Sequence, residues 1–566
     1  MIAIAGDYGQ ALLPPELLTE IVPHLEDPSC RVIGHDLLPA IVVMRAELGR
    51  RLKLSNLWDV RLAMQLLNNG LPTREDSLPQ ICSSLLRWHL DESPRFVSGK
   101  TDLTARELDY ASRASGILER IYARQRQLIE KNGLSRVAEL EFDALPALAE
   151  IEYNGIGFDK KAALQLQDRL ILERGRLEKE LEGYGRSRLH KGQFNPKNPQ
   201  QVKNLLHSLG YHAKTTSAAD LERILLKNPD DQFVTSLLKY RKLRQNIAFL
   251  KSWTDSAQYS NNKNEKNENL YQSRIYPKLE QLGGRSGRIT CSLPNIHQVP
   301  RDPELKGLFI ASPGMSFVEA DFSAIEMRII AVLSGDEAMI KIFKKGLDPH
   351  KQTARAIFQK SKISEEERQI AKTLNYGTVY GGGANMVLAQ LPHLTEDEAR
   401  EFLHRFYDAY PGLESWQRKT TDRAVKVVVD GAEYRASRSA LGRIRYVDPN
   451  HRNALINTPV QASGSDLQKM ALGRVYQRLN QPKYTDFRLI NAVHDSILLE
   501  VPDRLVGDAS RLLQEVMEKA GDELLKIIPC TIDVKTGKDW SFRRDPHRSR
   551  IRSILHRASA LFRRGS

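Results

Sequence analysis

The chain has 566 residues, 41% hydrophobic and 27% charged, the balance of a soluble globular protein of about two to four domains. Its 84 Lys and Arg outnumber 70 Asp and Glu for a net charge of +14, which points to an acidic partner, most simply nucleic acid, or else to a merely basic enzyme. No apolar run reaches the roughly 18 residues of a membrane span, and the four cysteines (Cys30, Cys82, Cys291, Cys530) are too scattered for a zinc site or a disulfide framework. The N-terminus "MIAIAGDYGQ" lacks a basic start before an apolar core, so no secretory signal is expected and cytoplasmic residence follows.

Residues 1–136 read as mixed α/β. "RVIGHDLL" suits a short strand, and "LPAIVVMRAELGRRL" suits a helix. "LDYASRASGILERIYARQRQLIEKNG" reads as a longer helix closed by the stop signal Asn132-Gly133. From about 137 to 254 the pattern is helical and highly charged, and "AALQLQDRLILERGRLEKELEGYG" is expected to end at its glycine. "SAQYSNNKNEKNENLYQ" is a polar run expected to be a loop.

Beyond about 275, short strand candidates alternate with long helical stretches. "SFVEADFSAIEMRIIAVLSGD" is an apolar run that ends at Asp321 and passes into a helical pattern. Asp321 there is either a helix N-cap or a ligand for a hard cation. In "RQIAKTLNYGTVYGGG", Arg368, Lys372, Tyr376 and Tyr380 recur every fourth residue and so share one side of a helix. Two cations followed by two rings suit a nucleoside triphosphate, although the stripe by itself reads first as a solvated basic face that runs into a half-buried aromatic one. Glycines 381–383 are expected to end that helix. "RLINAVHDSILLEV" reads as a tight β-hairpin with His494-Asp495 at its tip. A carboxylate between two apolar runs needs a partner or a metal. If Asp321 and Asp495 meet, they could hold two Mg2+ ions for phosphoryl transfer. The last 24 residues, 543–566, carry eight Arg and one Asp, with Ile551, Ile554, Leu555, Ala558, Leu561 and Phe562 at helical spacing. They form either a basic amphipathic helix for DNA, membrane or partner, or a solvated tail.

The order of these segments resembles DNA polymerases of family A. "DFSAIEMR", "RQIAKTLNYGTVYG" and "VHDS" are similar to that family's motifs A, B and C. "GRITCSLPNIHQVP", "NTPVQASGSD" and "KDWSF" extend the resemblance over about 137–542. It implies an α+β multidomain fold: a right hand with an antiparallel palm sheet and helical fingers and thumb. The thumb would occupy about 137–275, with palm and fingers in about 276–542. It implies a template-directed DNA polymerase that adds dNTPs to a primer 3′ end in replication or repair, with two Mg2+ ions for which Mn2+ can substitute. Its partners would be primer-template DNA and dNTPs, and a nucleoid-associated monomer is expected.

Carried over by position, Asp321, Asp495 and the backbone carbonyl of Phe322 would hold metal. Glu326, His350, Arg368, Lys372, Tyr376 and Tyr380 would bind the dNTP. Arg288, Asn457, Gln461 and His494 would bind primer-template. Glu326 stands at the family's steric gate against ribose, and Tyr376 at the position where a hydroxyl admits dideoxynucleotides. Ser496 stands where the family has Glu, Ala324 where it has Gln, and His297-Gln298 where it has Gln-Asn. Arg452 is one position off the family's arginine and receives no role.

Residues 1–136 resemble the family's 3′–5′ exonuclease domain, an α/β RNase H-like fold, in degenerate form. In "VIGHDLLPAIVV" and "YASRA", Ala40 and Ala114 stand in place of carboxylates, and no Asp-x-Glu precedes "IVPHLEDPS". Proofreading is therefore expected to be absent, and no 5′-nuclease domain is expected. Two other classes remain: a weakened, polymerase-derived DNA-binding protein, suggested by Ser496, and a single-subunit RNA polymerase. The four residues Asp321, Arg368, Lys372 and Asp495 argue against the first, and Glu326 with Asn375-Tyr376-Gly377 against the second.

Overall fold

The computed structural model describes residues 2–6, 9–13, 15–71, 76–91, 104–189, 194–259, 273–391 and 394–543. The polar run around 260–272 and nearly all of the basic tail, 544–566, lie outside the described residues. The chain divides into two compact units. The first gathers residues 1–156, 276–345 and 412–566, and the second 157–275 and 346–411.

The first unit is built on a four-stranded, wholly antiparallel sheet. Its strands run in the order Arg488–Val493, Ser496–Pro502, Met315–Phe322, Ile532–Gly537. The central strand Met315–Phe322 is buried along most of its length, as expected of a run dominated by Phe, Val and Ala. Behind the sheet lies the Val506–Leu525 helix, whose Leu512, Leu513, Val516, Met517 and Ala520 are buried.

Two long helices form the rest of this core. The Ser135–Asn154 helix is buried on nearly every side and packs against the Arg452–Leu479 helix. Where they meet, a group of charged side chains is fully enclosed. Glu141 accepts hydrogen bonds from Lys469 Nζ at 2.6 and 2.9 Å, from Gln281 Nε2 at 2.5 Å and from Arg443 Nη2. Arg443 Nε also pairs with Asp466 Oδ1 at 2.6 Å. Buried charges survive only when paired in this way.

The N-terminal residues belong to the same unit. The parallel strands Val32–Gly34 and Leu57–Asp59 are joined through the Leu37–Leu48 helix, a βαβ connection. Asp59 caps the following helix by accepting the N–H groups of Arg61 and Leu62, and also takes that of Leu37. The long helix runs Ala105–Lys131 and stops at Asn132-Gly133, as its sequence predicts. Arg51 ties this region down: it donates to Glu150 Oε1 at 2.9 Å and to the carbonyls of Leu479 and Tyr484 at 3.0 and 3.2 Å. Arg45 holds the other oxygen of Glu150 at 3.0 Å.

In the second unit, the Lys160–Leu189 helix packs on the Gln232–Ser256 helix, and Ser236 and Tyr240 donate to Glu180 and Glu178 across the contact. The first of these helices does not stop at its expected glycine. It runs through Gly183 and Gly185 to Leu189. Gly185 is there for space: a Cβ on it would lie 2.1 Å from that of Phe194. The tertiary contact outweighs the penalty of about 1 kcal/mol for a helical glycine.

Candidate active site

Asp321 sits one residue before the end of the central strand, and its role as a helix N-cap is ruled out. The cap of the next helix, Ile325–Ser334, is Ala324 in a left-handed conformation, with no side-chain bond. The strands on both sides of Asp321 are antiparallel, so its direct partners, Ser496 and Asp533, share its face of the sheet. Ser496 opens the second strand of the hairpin, immediately after the two-residue tip His494-Asp495, and His494 holds a positive φ of 55°. The backbone locks that tip to the central strand, because Phe322 N–H donates to the Asp495 carbonyl at 3.2 Å.

Asp321 and Asp495 therefore come together from positions 174 residues apart, 321 and 495. Burial pushes both carboxyls above the usual range, and neighbouring negative charge pushes further: Glu319 and Asp533 on Asp321, Asp321 on Asp495. The hydroxyl of Ser496 is spent on the turn, donating to the Val493 carbonyl at 3.2 Å.

Glu326, in the first turn of the Ile325–Ser334 helix, accepts from Arg288 Nη2 at 2.8 Å. Arg288 follows a tight turn in which Gly287 N–H donates to the Gly284 carbonyl at 2.8 Å. Gly287 has φ +83°, and a Cβ there would lie 2.7 Å from Arg443 Nε, so a larger residue would collide with the enclosed charge group. His494 lies within the field of both Arg288 and Glu326. Asn457 and Gln461, one helical turn apart in the Arg452–Leu479 helix, are half-buried on one side of it. Asn457 Oδ1 is buried and takes no hydrogen bond.

The other predicted residues lie in the second unit. The helix Glu365–Val379 begins at a Ser364/Glu367 capping box. It ends where the glycines predict: Gly381 N–H donates to the Thr378 carbonyl and Gly382 N–H to that of Gly377, a Schellman closure. Arg368, Lys372 and Tyr376 follow one another along it, each half-buried, and Tyr380 is its C-cap. Arg368 pairs with Asp348 at 2.7 Å and Glu365 at 3.1 Å. His350 donates to or accepts from Asn375 at 2.9 Å, with its ring 5.9 Å from that of Tyr376.

Several neighbours of Asp321 were not legible in the sequence. Lys306 stacks its ammonium over the Trp540 ring at 4.7 Å and, with Arg301 and Lys535, offsets part of the negative charge around Asp321. Arg328 clamps the turn after Asp321 by donating to the carbonyls of Ser323 and Pro529 and to Thr531 Oγ1. His297 lies beside His494, and burial together with that neighbour pushes it down to about 4. For Arg328 the signal was present: an arginine in an otherwise apolar helical stretch that needs partners.

Residues 165–542 match the sequence pattern of DNA polymerase family A. The chain is 29% identical over 496 residues to DNA polymerase I of Aquifex aeolicus, covering 82% of this chain and 81% of that protein. It is 30% identical over 428 residues to the thermostable DNA polymerase I of Thermus caldophilus, covering 71% of this chain and 48%, about half, of that longer protein. Among solved structures, the POL domain of Pol1 from M. smegmatis, in complex with DNA primer-template and dNTP, superposes with a TM-score of 0.76 at 22% identity. That match covers 94% of this chain and 89% of the other.

Proposed function

The chain belongs to DNA polymerase family A and so is a DNA-directed DNA polymerase; from that premise we propose that Asp321 and Asp495 are its catalytic carboxylates. The observation that carries this is their meeting at one hairpin tip beside the central strand. Two half-buried carboxylates that repel each other suit a divalent cation, which removes the repulsion. Among the described residues no group of three or more His, Cys, Asp or Glu closes around a point. Asp321, Asp495 and the Phe322 carbonyl would thus form an open donor set, which leaves positions for water and substrate oxygens. When bound, Mg2+ supplies charge neutralisation at the phosphates and a more acidic primer hydroxyl.

In the reaction, the primer 3′-oxygen bonds to the α-phosphorus while the bond to the β-phosphate oxygen breaks. Pyrophosphate leaves and the hydroxyl proton is lost. Arg368 and Lys372, assisted by His350, would neutralise the triphosphate, and Tyr376 and Tyr380 would face sugar and base. Glu326 would exclude a ribose 2′-hydroxyl. Arg288, Asn457, Gln461 and His494 would contact primer-template, without reading sequence. We also infer that the region 1–136 lacks proofreading. Position 40 is an exposed alanine and position 114 a half-buried one, and neither can hold a metal.

Primer extension tests both points. With Mg2+ and dNTPs the wild type extends a labelled primer and Asp321→Ala does not, a loss of at least about a thousandfold if the carboxylate carries the metal. With dNTPs withheld the primer stays intact. No extension by the wild type, or full extension by Asp321→Ala, would overturn the assignment of Asp321. Shortening of the primer would overturn the inferred lack of proofreading.

A further inference from the structure

Position 496 contributes no charge to the site, and its hydroxyl is committed to the Val493 carbonyl. The opposite flank of Asp321 differs. In the edge strand Ile532–Gly537, Asp533 is paired directly with Asp321, so the two side chains rise from the same face. Side chains so placed have Cβ atoms about 4.5–5.5 Å apart, which puts both carboxylates within reach of a shared hydrated ion.

Resting on the assignment of Asp321 and Asp495 as metal ligands, we propose that Asp533 is a positioning residue of the same centre, an outer carboxylate that holds water on a divalent cation. Three observations support it. Asp533 is exposed, and among the described residues its carboxylate accepts no hydrogen bond and makes no ion pair, so it is available. Its charge reaches Asp321. The other acidic neighbours are already engaged: Glu319 accepts from Trp540 Nε1 at 2.9 Å and stands opposite Lys535 in the sheet, and Glu326, whose charge reaches Asp495, accepts from Arg288 Nη2 at 2.8 Å. Arg328 also feels Asp533, but it directs its donors to Ser323, Pro529 and Thr531. Because, among the described residues, no three carboxylates close around a point, Asp533 acts through metal-bound water rather than as an inner ligand. The outer negative charge thus comes from the edge strand and not from the hairpin.

The test is Mn2+ binding to the full chain without nucleotide, read from the free-ion electron paramagnetic resonance signal. Asp533→Asn should weaken binding about tenfold. Asp533→Glu should retain it. Adding Ser496→Glu to Asp533→Asn should restore it by supplying charge from the other side of Asp321, which a purely structural role of Asp533 would not allow. Asp321→Ala should abolish the tight site. Wild-type binding by Asp533→Asn, with Asp321→Ala defective, would overturn the proposal and leave the catalytic assignment standing. Wild-type binding by Asp321→Ala would overturn the assignment itself. Should Asp533→Asn also melt early, failure of both Asp533→Glu and the added Ser496→Glu to recover binding would count against the proposal.

Discussion

Tyr376 differs from phenylalanine by one hydroxyl, and on the proposal that it faces the sugar of the dNTP that atom would bear on substrate choice. In that place its hydroxyl would replace the hydrogen bond that a missing 3′-hydroxyl would have made. The wild type is therefore expected to incorporate dideoxynucleotides readily, and Tyr376→Phe to discriminate against them by a further tenfold or more, about 1.4 kcal/mol. The ratio of dideoxy to deoxy incorporation on a defined template measures this. Two histidines make a separate prediction. Burial pushes His297 and His350 down to about 4, against about 6.5 in an unfolded chain. Between those values the unfolded state takes up protons that the native state refuses. Their contribution to stability is complete above about pH 6.5 and is lost as the pH falls toward 4. Asp321 and Asp495, whose carboxyls are pushed up, act in the opposite sense over the same range, so the histidine contribution is read as a difference: between about pH 6.5 and 4 the urea midpoint of His297→Gln should fall less, or rise more, than that of the wild type.

Arg51 shows what joins one element to another. It links the N-terminal region to Glu150 of the Ser135–Asn154 helix, to the Leu479 carbonyl at the end of the Arg452–Leu479 helix and to the Tyr484 carbonyl beyond it. Its removal strands several acceptors, and Arg51→Ala should cost about 2–3 kcal/mol in urea unfolding. Arg45 still pairs Glu150, so the loss stays below that of an unpaired buried charge. The elements that carry motifs were the most readable in sequence. The Glu365–Val379 helix has a capping box, a four-residue stripe and glycines, and each of these signals is local. The His494-Asp495 hairpin has two apolar runs with a polar break. The pairing of Asp321 with Asp533 gave no such signal, since it depends on which strand lies beside the central one. Glu141 was equally silent: a glutamate in a helix normally reads as solvent-exposed, and only Lys469, Arg443 and Gln281, all distant in sequence, reverse that. The helix passes Gly185, against the stop that a glycine signals, because the reason for that glycine is Phe194, a contact outside the helix.

Taken whole, the molecule carries a net charge of +14. Affinity for primer-template DNA should then be strongly salt-dependent, falling about a thousandfold or more between about 50 and 200 mM salt if six or more phosphates are contacted. Fluorescence anisotropy across that range checks it, and Asp321→Ala should keep the same slope. No described helix is long and apolar enough to cross a membrane.

The first unit is assembled from three separate stretches of chain, 1–156, 276–345 and 412–566. This has a consequence for the protein as it is made. The Ser135–Asn154 helix leaves the ribosome with apolar side chains on nearly every face and with Glu141 unpaired, while its partner helix, Arg452–Leu479, is still some three hundred residues from synthesis. At about 5–20 residues per second that interval lasts at least about 15 seconds, far longer than hydrophobic collapse. Through that time the helix must be sheltered by its neighbours or by chaperones, and premature termination before the second helix would release a fragment prone to aggregate.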